Sequence, residues 1–223
     1  MNILSVYAHH EPGSLTGALK NTALGELARQ GHTILETDLY ASGFSPKAEK
    51  FDFNLLSGQH FNYMLEQRYA TNHSMAYASD ILAEIEKLQK SDLVIFHTPI
   101  WWQGVPAVLK GWFDRVLAMG VAWDGGLIYE KGLLRGKKAF VCAVVGGPEE
   151  YYRADGRHKA TFEQIMHPIH HGTLAFCGFD VIKPFVVYNT LGLGEAARAQ
   201  TITNYQTTIA NLLKQPAYLH KFD

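Results

Sequence analysis

Asp92-Leu93-Val94-Ile95-Phe96-His97-Thr98, running into Pro99-Ile100-Trp101-Trp102-Gln103-Gly104-Val105-Pro106, is the stretch on which the fold turns. Seven largely apolar residues in sequence read as a strand buried on both faces, which is how strands of a parallel sheet look. The loop that follows opens a helix over residues 105–117, with Pro106 in a first turn that tolerates it. Strand, ligand-sized loop and helix together form half of a βαβ unit.

The same pattern recurs on both sides. Residues 2–8 and 137–145 are apolar runs of strand length, and residues 32–38 and 180–187 are further candidates, the last at a sheet edge because Pro184 cannot donate to a ladder. Residues 16–30 carry Leu19, Ala23, Leu24, Leu27 and Ala28 at helical spacing, with Gly31 placed to cap the end. Residues 61–89 read as helical in pieces, with Ser79 or Asp80 as a cap for Ile81, Ile85 and Leu88. Residues 161–176 read as a helix that Pro168 should kink or limit at its start. Residues 195–214 close the chain with Ile202, Tyr205, Ile209 and Leu212 on one face. Residues 39–59 read as a long loop holding a short helix. Five strands alternating with helices predict a doubly wound parallel α/β sheet with helices on both faces, in one domain over residues 1–223.

Composition narrows the function. A formal net charge of −1 gives no basic excess for nucleic acid, and no run reaches the ~20 apolar residues of a membrane span. The start leads directly into a strand with no signal-peptide pattern, so the expected location is the cytoplasm. Cys142 and Cys177 sit in apolar runs and read as buried free thiols.

Loops after the first, third and fourth strands converge at the carboxyl end of such a sheet, where this class binds ligands. The first, His9-His10-Glu11-Pro12-Gly13-Ser14-Leu15-Thr16, leads into a helix N-terminus that favours an anion. His9, Ser14 and Thr16 can donate to phosphate; equally, Ser14 or Thr16 can simply cap the helix. The second carries Trp101 and Trp102, whose flat apolar surface suits a stacked ring, or else divides between core and partner contact. The third, residues 146–158, has the pair Gly146-Gly147, then Tyr152 and His158, a hydroxyl and an imidazole able to offset developing negative charge.

Together these segments resemble the NAD(P)H:quinone oxidoreductase family, the FAD-dependent branch of the flavodoxin-like proteins. The densest match is Asp92–Phe96 with Pro99, Trp102, Gly104-Val105-Pro106-Ala107, Leu109-Lys110-Gly111-Trp112-Phe113 and Arg115-Val116. Ala8-His9, Ser14 and Ala18 resemble the first loop; Gly146-Gly147, Tyr152, Gly156 and His158 resemble the third; Phe176-Cys177-Gly178-Phe179 and Ala197-Arg198 continue the likeness. The resemblance implies a flavodoxin-like fold and a homodimer. It further implies hydride transfer from NADH or NADPH through FAD to a quinone-like acceptor, by a ping-pong scheme. By that resemblance His9, Ser14, Leu15 and Thr16 hold the pyrophosphate. Pro99, Ile100, Trp101, Trp102 and Gln103 lie along the isoalloxazine, and Gly146 and Gly147 lie at its pyrimidine end. Arg198 reaches the adenine or phosphate end, and Asn62 the FAD of a second subunit. Tyr152 and His158 are catalytic; Trp102, Trp123, Gly125 and His158 face the substrate.

The chain departs from the family pattern. Trp123 and Gly125 replace two tyrosines common on the substrate side, Thr16 replaces an asparagine, and Val144-Val145 replaces two threonines. One branch binds zinc through two histidines four apart and a late cysteine. Here His171 has Ala175 four residues on and no cysteine follows Cys177, so His167, His170 and His171 read as helix-surface or interface histidines and no metal is expected. Other readings of the scaffold are an FMN-dependent azo- or nitroreductase and a regulatory flavoprotein subunit of a membrane transporter.

Overall fold

The computed structural model of the chain describes residues 1–58 and 60–218. Its strands are β1 (Asn2–Tyr7), β2 (Thr33–Asp38), β3 (Leu93–Pro99), β4 (Lys138–Val144), β5 (Asp180–Val181) and β6 (Phe185–Val187). All pairings are parallel, in the order β2-β1-β3-β4-β5, and β6 also pairs with β4. This is the doubly wound arrangement expected. The expected fifth strand, however, is two pieces. β5 pairs with Lys138 and Ala139 and β6 with Cys142 to Val144, with Pro184 between them. Proline has no N–H for the ladder, so the strand breaks there, at the edge the sequence indicated.

Alternate residues of the central strands feed two cores. Ile3, Leu93, Ile95 and Phe140 face helices α1 (Leu15–Arg29) and α6 (Glu195–Ala210), packing with Leu19, Leu27, Tyr205 and Ile209. Leu4, Val6, Val94, Phe96, Ala139 and Val141 face the opposite layer. That layer contains α3 (Ser79–Lys90), α4 (Ala107–Val116) and α5 (Phe162–Ile169). Both thiols are free and buried.

Several local expectations are corrected. The N-cap of α3 is Ala78, with no side-chain cap bond; Asp80 instead pairs with Arg115. Pro106 is the N-cap of α4, not a first-turn residue. Helix 161–176 changes type part-way. α5 runs through Pro168, which has no N–H for the Gln164 carbonyl, and at His170 the chain widens into a π-helix over His170–Ala175, where Thr173 Oγ1 donates to the Pro168 carbonyl at 2.9 Å. His170 is buried within that segment, so it is not a surface histidine.

The excursion between β2 and α3 contains the short 3₁₀ turn Lys50–Asp52 and helix α2 (Tyr63–Asn72). It is fixed by buried charge. Arg115 of α4 donates from Nε (3.1 Å) and Nη2 (3.0 Å) to Asp52, and also to Asp80 at 3.0 Å. Tyr63 adds a bond to the same Asp52 carboxylate at 2.5 Å.

Candidate active site

The loop after β1 is closed by its own bonds. Tyr7 Oη and the Ser14 N–H both donate to the Glu11 carbonyl, and the Glu11 carboxylate accepts from Gly13 N–H at 2.8 Å. Ser14 caps α1, its Oγ accepting from Gly17 N–H at 3.1 Å. Of the four orphan amides of the first turn, those of Ser14 and Gly17 are thereby used. The remaining two, of Leu15 and Thr16, are donors of the kind that suit an anion at a helix start. The Thr16 side chain is buried, which leaves its backbone as the donor. Gly17 is a residue the sequence reading missed. A Cβ there would stand 2.2 Å from the Pro12 carbonyl oxygen, so the loop lies directly on the helix backbone.

His9 Nδ1 accepts from Glu11 N–H at 3.0 Å, which puts the neutral ring's proton on Nε2. Burial, then the neighbouring His10, pushes its pKa below the usual histidine value. His9 stacks on His10 at 4.7 Å, and Trp101 stands against both rings at 6.1 and 6.0 Å. Loops one and two therefore meet through these rings.

Loop two is a tight reversal. Trp101 and Gly104 exchange backbone bonds of 2.9 and 3.0 Å, and the two residues between them, Trp102 and Gln103, have φ of 52° and 61°. Two successive positive φ values on non-glycine residues are costly and mark a site whose surroundings over-determine it. The turn leaves Trp102 completely exposed, at 101%. Pro99 is buried at the end of β3, and Ile100 N–H reaches the Val144 carbonyl at 2.9 Å.

Loops two and three meet where Gln103 Nε2 approaches His158 Nδ1 at 2.7 Å. The Tyr152 ring packs at 4.7 Å from His158 and 5.4 Å from Tyr188. Burial raises the pKa of Tyr152 and takes that of Tyr188 to about 12, so both hydroxyls keep their protons at neutral pH. A methyl on Gly147 would fill the space beside Tyr151 and Tyr152, at 3.4 and 3.6 Å. Asn189 N–H bonds the Gly147 carbonyl at 2.8 Å, and Leu191 lies over Gly146, which ties this loop to the approach to α6. Arg198 is half-buried in the opening turns of that helix.

The remaining expected residues lie apart. Asn62 caps α2, accepting from Leu65 N–H. Trp123 donates from Nε1 to the Leu117 carbonyl and packs edge-on against Phe176 at 5.5 Å. With Phe61, Tyr63, Met64 and Phe176 it lines an apolar cleft of about 510 Å³. Gly125 is exposed beside the Arg68–Asp124 pair. His167 stacks on His171 at 4.8 Å, and among the described residues no three His, Cys, Asp or Glu side chains gather as a metal site.

A family model of the flavodoxin-like fold matches residues 1–213. A ribosyldihydronicotinamide dehydrogenase [quinone] from Pongo abelii is 41% identical over 215 residues, covering 96% of this chain and 92% of that one. The chain belongs to the NAD(P)H:quinone oxidoreductase family. Its likeness to the NAD(P)H dehydrogenase [quinone] 1 of Rattus norvegicus is 36% over 218 residues, or 96% of this chain and 79% of that relative. In three dimensions it superposes on a Klebsiella pneumoniae protein assigned to the quinone reductases with a TM-score of 0.92 at 34% identity, covering 97% and 86% of the two chains. The three loops meet at the carboxyl ends of β1, β3 and β4, the side on which open α/β sheets bind ligands.

Proposed function

We propose that this chain is a flavin-dependent quinone reductase that accepts hydride from a reduced nicotinamide and delivers it to a quinone-like acceptor. The observation that carries this reading is the convergence of two unlike donor sets across one loop junction. On one side stand the Leu15 and Thr16 amides and His9 Nε2–H, which suit a pyrophosphate. On the other stand the Tyr152 hydroxyl, which keeps its proton, and the His158 imidazole packed against it, which suit a ring that gains negative charge on reduction. The chemistry of the donors fits FAD. When bound, the flavin supplies the redox chemistry, and the protein supplies position and charge.

In this reading Ser14 orders the phosphate loop, and Pro99 to Gln103 border the ring together with Gly146 and Gly147. Arg198 serves the far end of the cofactor. Tyr152 and His158 steady the negative charge on the reduced ring. The chain works as one domain, soluble in the cytoplasm; no helix among the described residues is long and apolar enough to cross a membrane. The apolar cleft with Phe61, Trp123 and Phe176 supports a homodimer in which Asn62 reaches the FAD of the second subunit and Trp123 and Gly125 face the acceptor. Donor and acceptor using one pocket in turn gives ping-pong kinetics. A second reading of the donor is dihydronicotinamide riboside, favoured by the names of the 41% and 40% identical relatives.

The first test is the chromophore released by denaturing the protein purified with FAD. One FAD per chain supports the reading, and FMN shifts it toward azo- or nitroreductases. Stopped-flow reduction by NADH, NADPH and dihydronicotinamide riboside, followed by menadione, then ranks the donors. Tyr152→Phe and His158→Ala should each slow flavin reduction about 10- to 100-fold with the flavin retained. Unchanged rates in both remove their catalytic role.

A further inference from the structure

We propose that Gln103 is a positioning residue that fixes the tautomer of His158, so that its ring presents Nε2–H to the reacting ligand. The inference rests on the function proposed above for His158 and adds a residue to it. The Gln103 side-chain nitrogen lies 2.7 Å from His158 Nδ1. In this orientation the amide presents its NH₂, a donor, to Nδ1, which accepts, and the ring's single proton sits on Nε2.

Both partners are held independently of that bond. Gln103 occupies the second central position of a turn closed by the paired Trp101 and Gly104 backbone bonds, with φ of 61°. His158 is held by its N–H to the Tyr151 carbonyl at 3.1 Å and by the Tyr152 ring at 4.7 Å. A residue in a tight reversal at the sheet's end stands close to the neighbouring loop. Here the side chain of Gln103 crosses to that loop. The strain at position 103 thus acquires a purpose: it aims a donor at the imidazole.

The test reads the proton itself. Long-range ¹H–¹⁵N spectra of ¹⁵N-histidine-labelled protein, with the His158 signals assigned from their loss in His158→Ala, should show Nε2–H. Gln103→Glu presents a carboxylate acceptor and should switch the ring to Nδ1–H; Gln103→Leu should leave a mixture. An Nδ1–H ring in the wild type, or no change in Gln103→Glu, overturns the proposal. Flavin reduction separates this from the parent reading. A tautomer switch together with about a tenfold slower reduction supports both. A tautomer switch with unchanged reduction in Gln103→Glu and in His158→Ala upholds the lock and removes the catalytic role of His158. A fixed tautomer with slow reduction in His158→Ala does the reverse.

Discussion

The excursion between β2 and α3 and the loop junction at the carboxyl end of the sheet are built on opposite plans. The excursion is held from inside, by an arginine 4% exposed on a carboxylate 2% exposed. The junction is held from outside, by ring contacts and a bond between Gln103 and His158 that water can reach. A buried pair resists rearrangement because separating it strands a charge in apolar surroundings. Ring contacts at the surface, such as those of Trp101 with His9 and His10, strand no charge when they part and can re-form around a ligand. The molecule keeps its rigidity where the frame is set and its adaptability where chemistry takes place.

The largest effect expected from this contrast is at Arg115. Arg115→Leu leaves Asp52 buried and unpaired and should cost about 3–5 kcal/mol of unfolding free energy in urea. Asp52→Asn in the same chain should recover part of it. A loss below about 1 kcal/mol would mean that charge does not fix the excursion.

The frame also contains neutral buried histidines, which make it acid-sensitive. His97 is fully buried between Ser5 and Tyr205, and burial lowers its pKa to about 3; His170 is lowered to about 4 by the same cause. Both titrate near 6.5 when unfolded, so the unfolded chain binds the extra protons first. Stability is complete above pH 6.5 and falls as pH drops toward the folded values, by roughly 1.4 kcal/mol per pH unit per histidine. Urea titrations from pH 7 to 4 should show this slope, and His97→Gln should flatten it. An equal slope in the variant would assign the effect elsewhere.

Gly17→Ala tests the one part of the junction that is packed as tightly as the frame. The methyl has no room beside Pro12, so the loop must move at a cost of about 1–3 kcal/mol. The flavin dissociation constant should rise with it; wild-type affinity would show that the first loop does not hold the cofactor. Trp102→Ala is the smallest change in stability, within about 0.5 kcal/mol, because the ring touches solvent alone. Its effect should fall on the KM for the acceptor, and an unchanged KM across several quinones would remove Trp102 from the acceptor side.

The same contrast governs what could be read from the residues alone. β1, β3 and β4 were legible because strands covered on both faces are continuous apolar runs, and the ligand loops because their residues are unusual and contiguous. The excursion was not, since its anchor joins Asp52 to Arg115, 63 residues apart. Asp80 looked like a helix cap because capping is a local pattern, and its true partner is on another helix. Gln103 read as a flavin neighbour; its bond to His158 needs the turn geometry of one loop and the fold of another. Gly17 was passed over because glycine near a helix start looks merely permissive until Pro12 is found above it.

The broken strand at Pro184 bears on how the molecule behaves in a crowd. An open sheet edge invites strands from other molecules, and aggregation begins there. Here the edge offers two short pieces, β5 and β6, rather than a continuous row of donors. Tyr218 N–H then covers the Val181 carbonyl at 2.6 Å, and Ala217 bridges Ile182 in antiparallel fashion. The last described residues act as a selvedge, finishing the sheet so that it does not unravel into its neighbours.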